Sequence, residues 1–207
     1  MPPDIKRLTG VILAGGKARR MNGTDKGLIL LCGKPLIAHV FERLWPQVDD
    51  IVISANRNRD AYAAFGAPVL ADETGDFAGP LAGIATALKL SRADAIVTAP
   101  CDGPWLPRDL VKRLRTCLEA TASPVCVVHD GGRLQPAYAI IRRSTLPHLE
   151  RYLRSGGRRL QEWLKQQHSG IADFTDQPEA FANINTPQDL AAAESAAAES
   201  HMKKPQA

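Results

Sequence analysis

No apolar stretch of this chain nears the roughly 18 residues that a membrane span needs, and Met1 to Leu8 lacks the long apolar core of a secretion signal. A cytoplasmic location without membrane contact is expected. Cys32, Cys101, Cys117 and Cys126 form no C-x-x-C pair, which removes zinc knuckles and redox motifs and predicts reduced thiols. The histidines, His39, His129, His148, His168 and His201, form no H-E-x-x-H, and no G-x-S-x-G elbow occurs, so zinc hydrolysis and a serine triad have no support. Neither G-x-G-x-x-G nor G-x-x-x-x-G-K-[ST] is present, and hydride transfer and P-loop hydrolysis recede with them.

What is present reads as one globular unit. A chain of 207 residues at 44% hydrophobic and 23% charged content is neither disordered nor fibrous. Folded chains of this size bury about 70% of the surface exposed when unfolded, so neither a disulfide nor a structural metal is required. The net charge of +4 suits anionic partners without demanding nucleic acid. Residues 1–195 are expected to form the domain. From residue 196 onward large apolar side chains almost vanish, which predicts a loose tail over 196–207.

Short apolar runs alternate with helical spacing along the domain. The runs are 10–14, 50–55, 68–70, 95–99, 124–129, 137–141 and 171–174. Several are apolar on successive residues, as strands covered on both faces are. Stripes at 3.6-residue spacing predict helices behind Pro35, Pro80 and Pro107, and another through Leu146, Leu149, Tyr152 and Leu153. A last helix is predicted behind Thr186-Pro187-Gln188-Asp189, with Thr186 as cap and Asp189 answering it. The alternation predicts an α/β fold, a three-layer α/β/α Rossmann-like arrangement around a mainly parallel sheet.

Immediately after the first run comes Leu13-Ala14-Gly15-Gly16-Lys17-Ala18-Arg19-Arg20-Met21, then Asn22-Gly23-Thr24-Asp25-Lys26-Gly27. Its glycines let backbone amides approach a polyphosphate, and Lys17, Arg19, Arg20 and Lys26 can neutralise one. A solvated surface loop has the same composition. Its place after a strand favours a ligand, because open α/β sheets bind at the carboxyl ends of their strands.

Asp102, in Pro100-Cys101-Asp102-Gly103, and Asp72 each follow a predicted strand. An acid 4 Å from a phosphate charge is repelled by roughly 4 kcal/mol at an effective dielectric of 20. A divalent cation removes the conflict, and Mg2+ takes one or two carboxylates besides phosphate oxygens, so Asp102 reads as a metal ligand. Both acids also suit turns or caps. Gly79-Pro80-Leu81-Ala82-Gly83 admits a flat base or ribose, or simply starts a helix. Asn183 and Asn185 offer amides to a ligand or to a turn. Gly156-Gly157-Arg158-Arg159 is flexible and basic, and could hold a second phosphorylated substrate bidentately. No aromatic platform accompanies these cations, which argues against nucleic acid.

Taken in order, Leu13-Ala14-Gly15-Gly16-Lys17, Arg20-Met21, Asp25-Lys26, Gly79-Pro80-Leu81-Ala82-Gly83, Pro100-Cys101-Asp102 and Asn185-Thr186-Pro187 resemble the molybdenum cofactor guanylyltransferase family over about residues 8–192. The resemblance implies that Leu13, Ala14 and Gly15 contact GTP through backbone, that Lys26 and Asp72 also bind it, and that Asp102 binds GTP and Mg2+. It makes Lys26 and Asp102 the catalytic pair. The family's asparagine after the second strand is Ser54 here, with Asn56 two residues on. Related cytidylyltransferases usually have Leu-Ala-Ala-Gly in place of Leu13-Ala14-Gly15-Gly16, which favours GTP over CTP.

The implied reaction transfers GMP from GTP to molybdenum-molybdopterin and releases pyrophosphate. Proteins of molybdenum insertion and molybdoenzyme delivery are the partners the family implies. A CTP-dependent enzyme acting on molybdopterin or another phosphorylated molecule is the alternative, and a nucleotide carrier or sensor is the alternative outside enzymes.

Overall fold

The computed structural model describes residues 4–14, 25–71 and 79–202. Its strands are β1 (Leu8–Leu13), β2 (Leu30–Leu31), β3 (Lys34–Pro35), β4 (Asp50–Ser54), β5 (Val69–Leu70), β6 (Ala95–Pro100), β7 (Val125–His129), β8 (Leu134–Arg142) and β9 (Gly170–Asp173). Its helices are α1 (Leu36–Leu44), α2 (Arg59–Ala63), α3 (Pro80–Leu90), α4 (Leu110–Thr121), α5 (Leu146–Arg154), α6 (Leu160–Gln166) and α7 (Pro187–Met202). Seven strands form one sheet in the order β5-β4-β1-β6-β8-β7-β9, and β2 and β3 pair as a separate hairpin. Only β8 runs against the other sheet strands.

All seven sheet strands coincide with the apolar runs of the sequence. Successive residues of β1 explain why those runs do not alternate: Ile12 enters one core with Ile37, Val40, Leu44, Leu110, Leu114 and Leu118, while Val11 enters the other with Leu81, Ile84, Leu88, Leu149 and Trp163. Thus α1 and α4 cover one face and α3, α5 and α6 the other, which is the expected three-layer fold. Each fully buried aliphatic or aromatic side chain contributes roughly 1.5–3 kcal/mol relative to exposure.

A third, smaller cluster joins Leu31, Leu36 and Ile184 with Leu190 and Ala193 of α7. It seats the last helix over the β2–β3 hairpin and the start of α1. That helix begins as its sequence predicts. Asp189 N–H donates to Thr186 Oγ1 (3.1 Å), and Thr186 N–H donates to Asp189 Oδ2 (2.8 Å). The Asn185 N–H, which also donates to Asp189 Oδ2 (2.9 Å), and after it the contacts of Thr186 hold the Asp189 carboxyl below the usual carboxylate range.

Helix α7 continues to Met202, past residue 196, because Ala-rich sequence needs little burial to extend a helix that is already nucleated. One expectation needs correction. Cys117 and Cys126 are joined as a disulfide, with their Cα atoms 6.3 Å apart, where four thiols were expected. They lie nine residues apart in sequence, and the pairing arises because α4 folds back onto β7, which a search for close cysteine spacing does not reveal. Cys32 and Cys101 are free. Among the described residues no helix is long and apolar enough to cross a membrane.

Candidate functional site

The chain leaves β1 toward β4 and β5 on one side, then returns to β6 on the other. The carboxyl ends of β1 and β6 therefore border a topological switch point, where the loops diverge and leave a crevice. Leu13 and Asp102 stand at that crevice. The Leu13 carbonyl accepts from Cys101 N–H (3.1 Å) and Ala14 N–H donates to the Ser54 carbonyl (2.8 Å), so one further rung locks β1 to both neighbours.

Asp102, just past β6, is mostly buried. Lys26, 76 residues earlier, donates from Nζ to Asp102 Oδ2 at 3.0 Å and to Asn185 Oδ1 at 2.5 Å. Three distant segments meet on one ammonium group. The Asn185 segment is tied down by the α7 cap and by Ile184 N–H, which donates to the Asp102 carbonyl at 2.9 Å. The 3-10 turn Lys26–Leu28 is anchored by Asp25, whose carboxylate accepts from Tyr62 Oη, from Asn58 Nδ2 (3.1 Å) and from Gly27 N–H (3.3 Å). A side chain at position 27 is barred, since its Cβ would stand 2.6 Å from Tyr62 Oη.

Burial is the first cause that pushes the Tyr62 phenol upward, followed by the Cys101 and Asp25 charges, so it stays a donor to Asp25. Burial likewise pushes the Cys101 thiol and the Tyr138 phenol up, with Asp102 adding to both. Cys101, although adjacent to Asp102, is thus held as an unreactive thiol.

Among the described residues no group of three or more His, Cys, Asp or Glu side chains forms a metal cage. Asp102 Oδ1 accepts no bond from another described residue, since its neighbour Oδ2 takes Lys26. A carboxylate oxygen at the switch point with no partner among the described residues fits Mg2+ that arrives already bound to phosphates and keeps its waters.

Of the residues expected at the site, Lys26, Asp102 and Asn185 are brought together, with Leu13 and Ala14 alongside. Gly15 and Asp72 lie outside the described residues, as do Gly16, Lys17, Arg19, Arg20 and Met21. Ser54 is buried at the end of β4, next to Ala14, and Asn56 follows it half-buried. Gly79 opens α3 at a φ of 71°, and a Cβ there would come 3.6 Å from the Arg158 carbonyl. The Gly156–Arg159 turn is therefore seated on the start of α3, at the same end of the sheet as Asp102. Its cations are partly engaged: Arg158 Nη1 donates to the carbonyls of Leu153 (2.9 Å) and Gly157 (2.8 Å), and Arg159 pairs with Glu162 at 2.9 Å. Sequence reasoning missed the supporting role of Tyr62 and the placement of Tyr138 against Gly103. Their signal is the pair of glycines, Gly27 and Gly103, against which the two hydroxyls close.

Comparison with known proteins agrees with this geometry. The pattern of the MobA-like NTP transferase domain matches residues 10–171. The chain is 45% identical over 184 residues to the molybdenum cofactor guanylyltransferase of Shewanella amazonensis, covering 89% of this chain and 94% of that protein. It is 47% identical over 182 residues to the protein of the same name from a Shewanella species, covering 88% and 92%. Among solved structures, molybdopterin-guanine dinucleotide biosynthesis protein A from Archaeoglobus fulgidus superposes with a TM-score of 0.77 at 26% identity, covering 92% of this chain and 99% of that one. Fold, switch-point cluster and sequence likeness agree: the chain is a nucleotidyltransferase and belongs to the MobA-like NTP transferase family.

Proposed function

We propose that this chain transfers GMP from GTP to the terminal phosphate of molybdenum-molybdopterin. The observation that carries the proposal is the Lys26 ammonium held between Asp102 and Asn185 where β1 and β6 end. Relatives that match nine-tenths of the chain are named for guanylyl transfer to the molybdenum cofactor, which supports the choice of both substrates.

A phosphate oxygen of molybdopterin attacks the α-phosphorus of GTP in line. The new oxygen–phosphorus bond forms as the bond to the bridging oxygen breaks, and pyrophosphate leaves with that electron pair. A phosphate is already ionised near neutral pH, so the nucleophile needs no strong base. The chain's contribution is positioning and charge neutralisation. Lys26 presents its ammonium to the phosphates while Asn185 and Asp102 fix its direction. Leu13, Ala14, Gly15 and Asp72 are the residues assigned to nucleotide binding, and Lys17, Arg19 and Arg20 are the candidates to neutralise departing pyrophosphate. Mg2+ held by Asp102, when bound, supplies charge stabilisation at the transferring phosphoryl group. Arg158 and Arg159, on the turn against α3, are the cations assigned to the second substrate. Molybdenum-insertion and molybdoenzyme-delivery proteins are the partners that the family likeness suggests for this product.

The test is pyrophosphate release with molybdopterin and Mg2+ and with GTP, CTP, ATP or UTP in turn. Release with GTP well above the others supports the proposal. Preference for CTP would reassign the base, and nucleotide binding without pyrophosphate would leave a carrier.

A further inference from the structure

Beneath the Lys26–Asp102–Asn185 cluster lie two oxygens that the fold leaves unsatisfied. Tyr138, on β8, is 1% exposed, and its ring is fixed edge-on against Phe181 with centroids 5.0 Å apart. Its hydroxyl stands 1.9 Å from the point that a Cβ on Gly103 would occupy, and Asn183 Oδ1 stands 3.3 Å from the same point. Both oxygens are buried, and neither has a hydrogen-bond partner among the described residues. Buried polar atoms of this kind are almost always paired, either directly or through a held water with two or more polar neighbours.

Their position gives them a consequence. Gly103 follows Asp102 directly, and Asn183 precedes Asn185 by two residues, with Ile184 N–H bonded to the Asp102 carbonyl between them. The Tyr138 hydroxyl thus sits under the joint between the two backbone segments that carry the partners of Lys26. The rigid ring stack makes it a fixed reference point: Phe181 in turn packs edge-on against Phe174, centroids 5.2 Å apart.

We propose that Tyr138 is a positioning residue for the transfer at Asp102: its hydroxyl and the Asn183 amide oxygen share one buried water, and this bridge sets the Asp102–Gly103 turn against the Asn183–Asn185 segment. The inference rests on the phosphoryl-transfer reading of the cluster and deepens it. Gly103 is its trace in the sequence, since any side chain there would displace the hydroxyl.

Tyr138→Phe keeps the ring and removes the oxygen. Loss of a residue that orients metal or phosphate ligands from behind typically costs 10–100-fold, so kcat at saturating GTP is expected to fall about tenfold. The Mg2+ concentration for half-maximal rate rises by a similar factor, whereas the KM for molybdopterin and the Tm stay close to the parent values. Gly103→Ala alone lowers Tm sharply, because its methyl meets the hydroxyl. Combined with Tyr138→Phe it regains only part of that Tm, since the hydroxyl is gone while the next ring atom (3.2 Å) and Asn183 Oδ1 (3.3 Å) still crowd the methyl, and it keeps the Mg2+ defect. A purely structural role for Tyr138 would move Tm and kinetics together and would overturn the proposal. So would unchanged kcat and Mg2+ dependence in Tyr138→Phe. Should that variant not fold, a high-resolution crystal structure of the parent decides: a water bonded to both oxygens supports the bridge, and its absence ends it. A parent protein that releases no pyrophosphate from GTP defeats the phosphoryl-transfer reading instead, and the same crystal still judges the bridge.

Discussion

Among the ion pairs of the described residues, those of Arg113 and of Lys26 behave oppositely. Arg113, on α4, spends its guanidinium entirely on its own fold: Nε donates to Asp109 (2.7 Å), Nη1 and Nη2 donate to Asp176 (2.6 Å each), and Nη1 also reaches the Asp173 carbonyl (3.1 Å). The face of that guanidinium lies 4.7 Å over the Phe174 ring. Lys26 instead has one carboxylate oxygen and one amide oxygen, and the second oxygen of its carboxylate partner takes no bond among the described residues. The planar fork of Arg closes a structural tie, while a point charge on a flexible stem leaves directions open to a ligand. Location adds to the contrast, since only the Lys26 cluster stands at the switch point of the sheet.

The contrast is sharpest in Asp102→Asn, which preserves shape and the hydrogen bond to Lys26 but removes the charge. GTP-dependent turnover is expected to fall at least 10²-fold, the scale of losing one electrostatic stabiliser of a transition state, while the Tm hardly changes. Rates near those of the parent would place Asp102 with the structural pairs. Arg158→Glu ranks next. If this cation meets the second substrate as proposed, reversing it should raise the KM for molybdopterin about tenfold and leave the KM for GTP alone, the size of one charge-assisted contact.

Arg113→Leu should invert the pattern: Tm falls by about 2–4 °C for a chain of this length, with kcat and KM retained. Lost activity at intact stability would merge the two clusters. The smallest effect concerns acid. The Arg113 hydrogen bond holds the Asp176 carboxyl down at about 2. A carboxylate depressed in the folded state stabilises above its unfolded pKa of about 3.9, and that contribution drains away as pH falls through the folded value. Asp176→Asn should therefore lower Tm slightly at neutral pH and flatten the loss of Tm between about pH 4 and pH 2. Melting curves across that range are the check.

The sheet was legible because its strands are apolar on consecutive residues, and five of the helices announced themselves by stripes and prolines. The short α2 and α6 did not, since five and seven residues are too few to establish a helical period. Asp102 and Lys26 could be selected as residue types, and the resemblance paired them. The reason they are adjacent, a turn anchored by Asp25 and Tyr62 on one side and an α7 cap on the other, is tertiary and has no local pattern. Tyr138 was invisible for the same reason: a lone tyrosine in an apolar strand reads as core until the glycine opposite it is placed.

The most direct test is a crystal structure with a non-hydrolysable GTP analogue and Mg2+. It should show the α-phosphate in contact with Lys26 Nζ and a metal bound by Asp102 at the carboxyl ends of β1 and β6. A triphosphate bound away from that crevice, with Asp102 contacting Lys26 alone, would contradict the account.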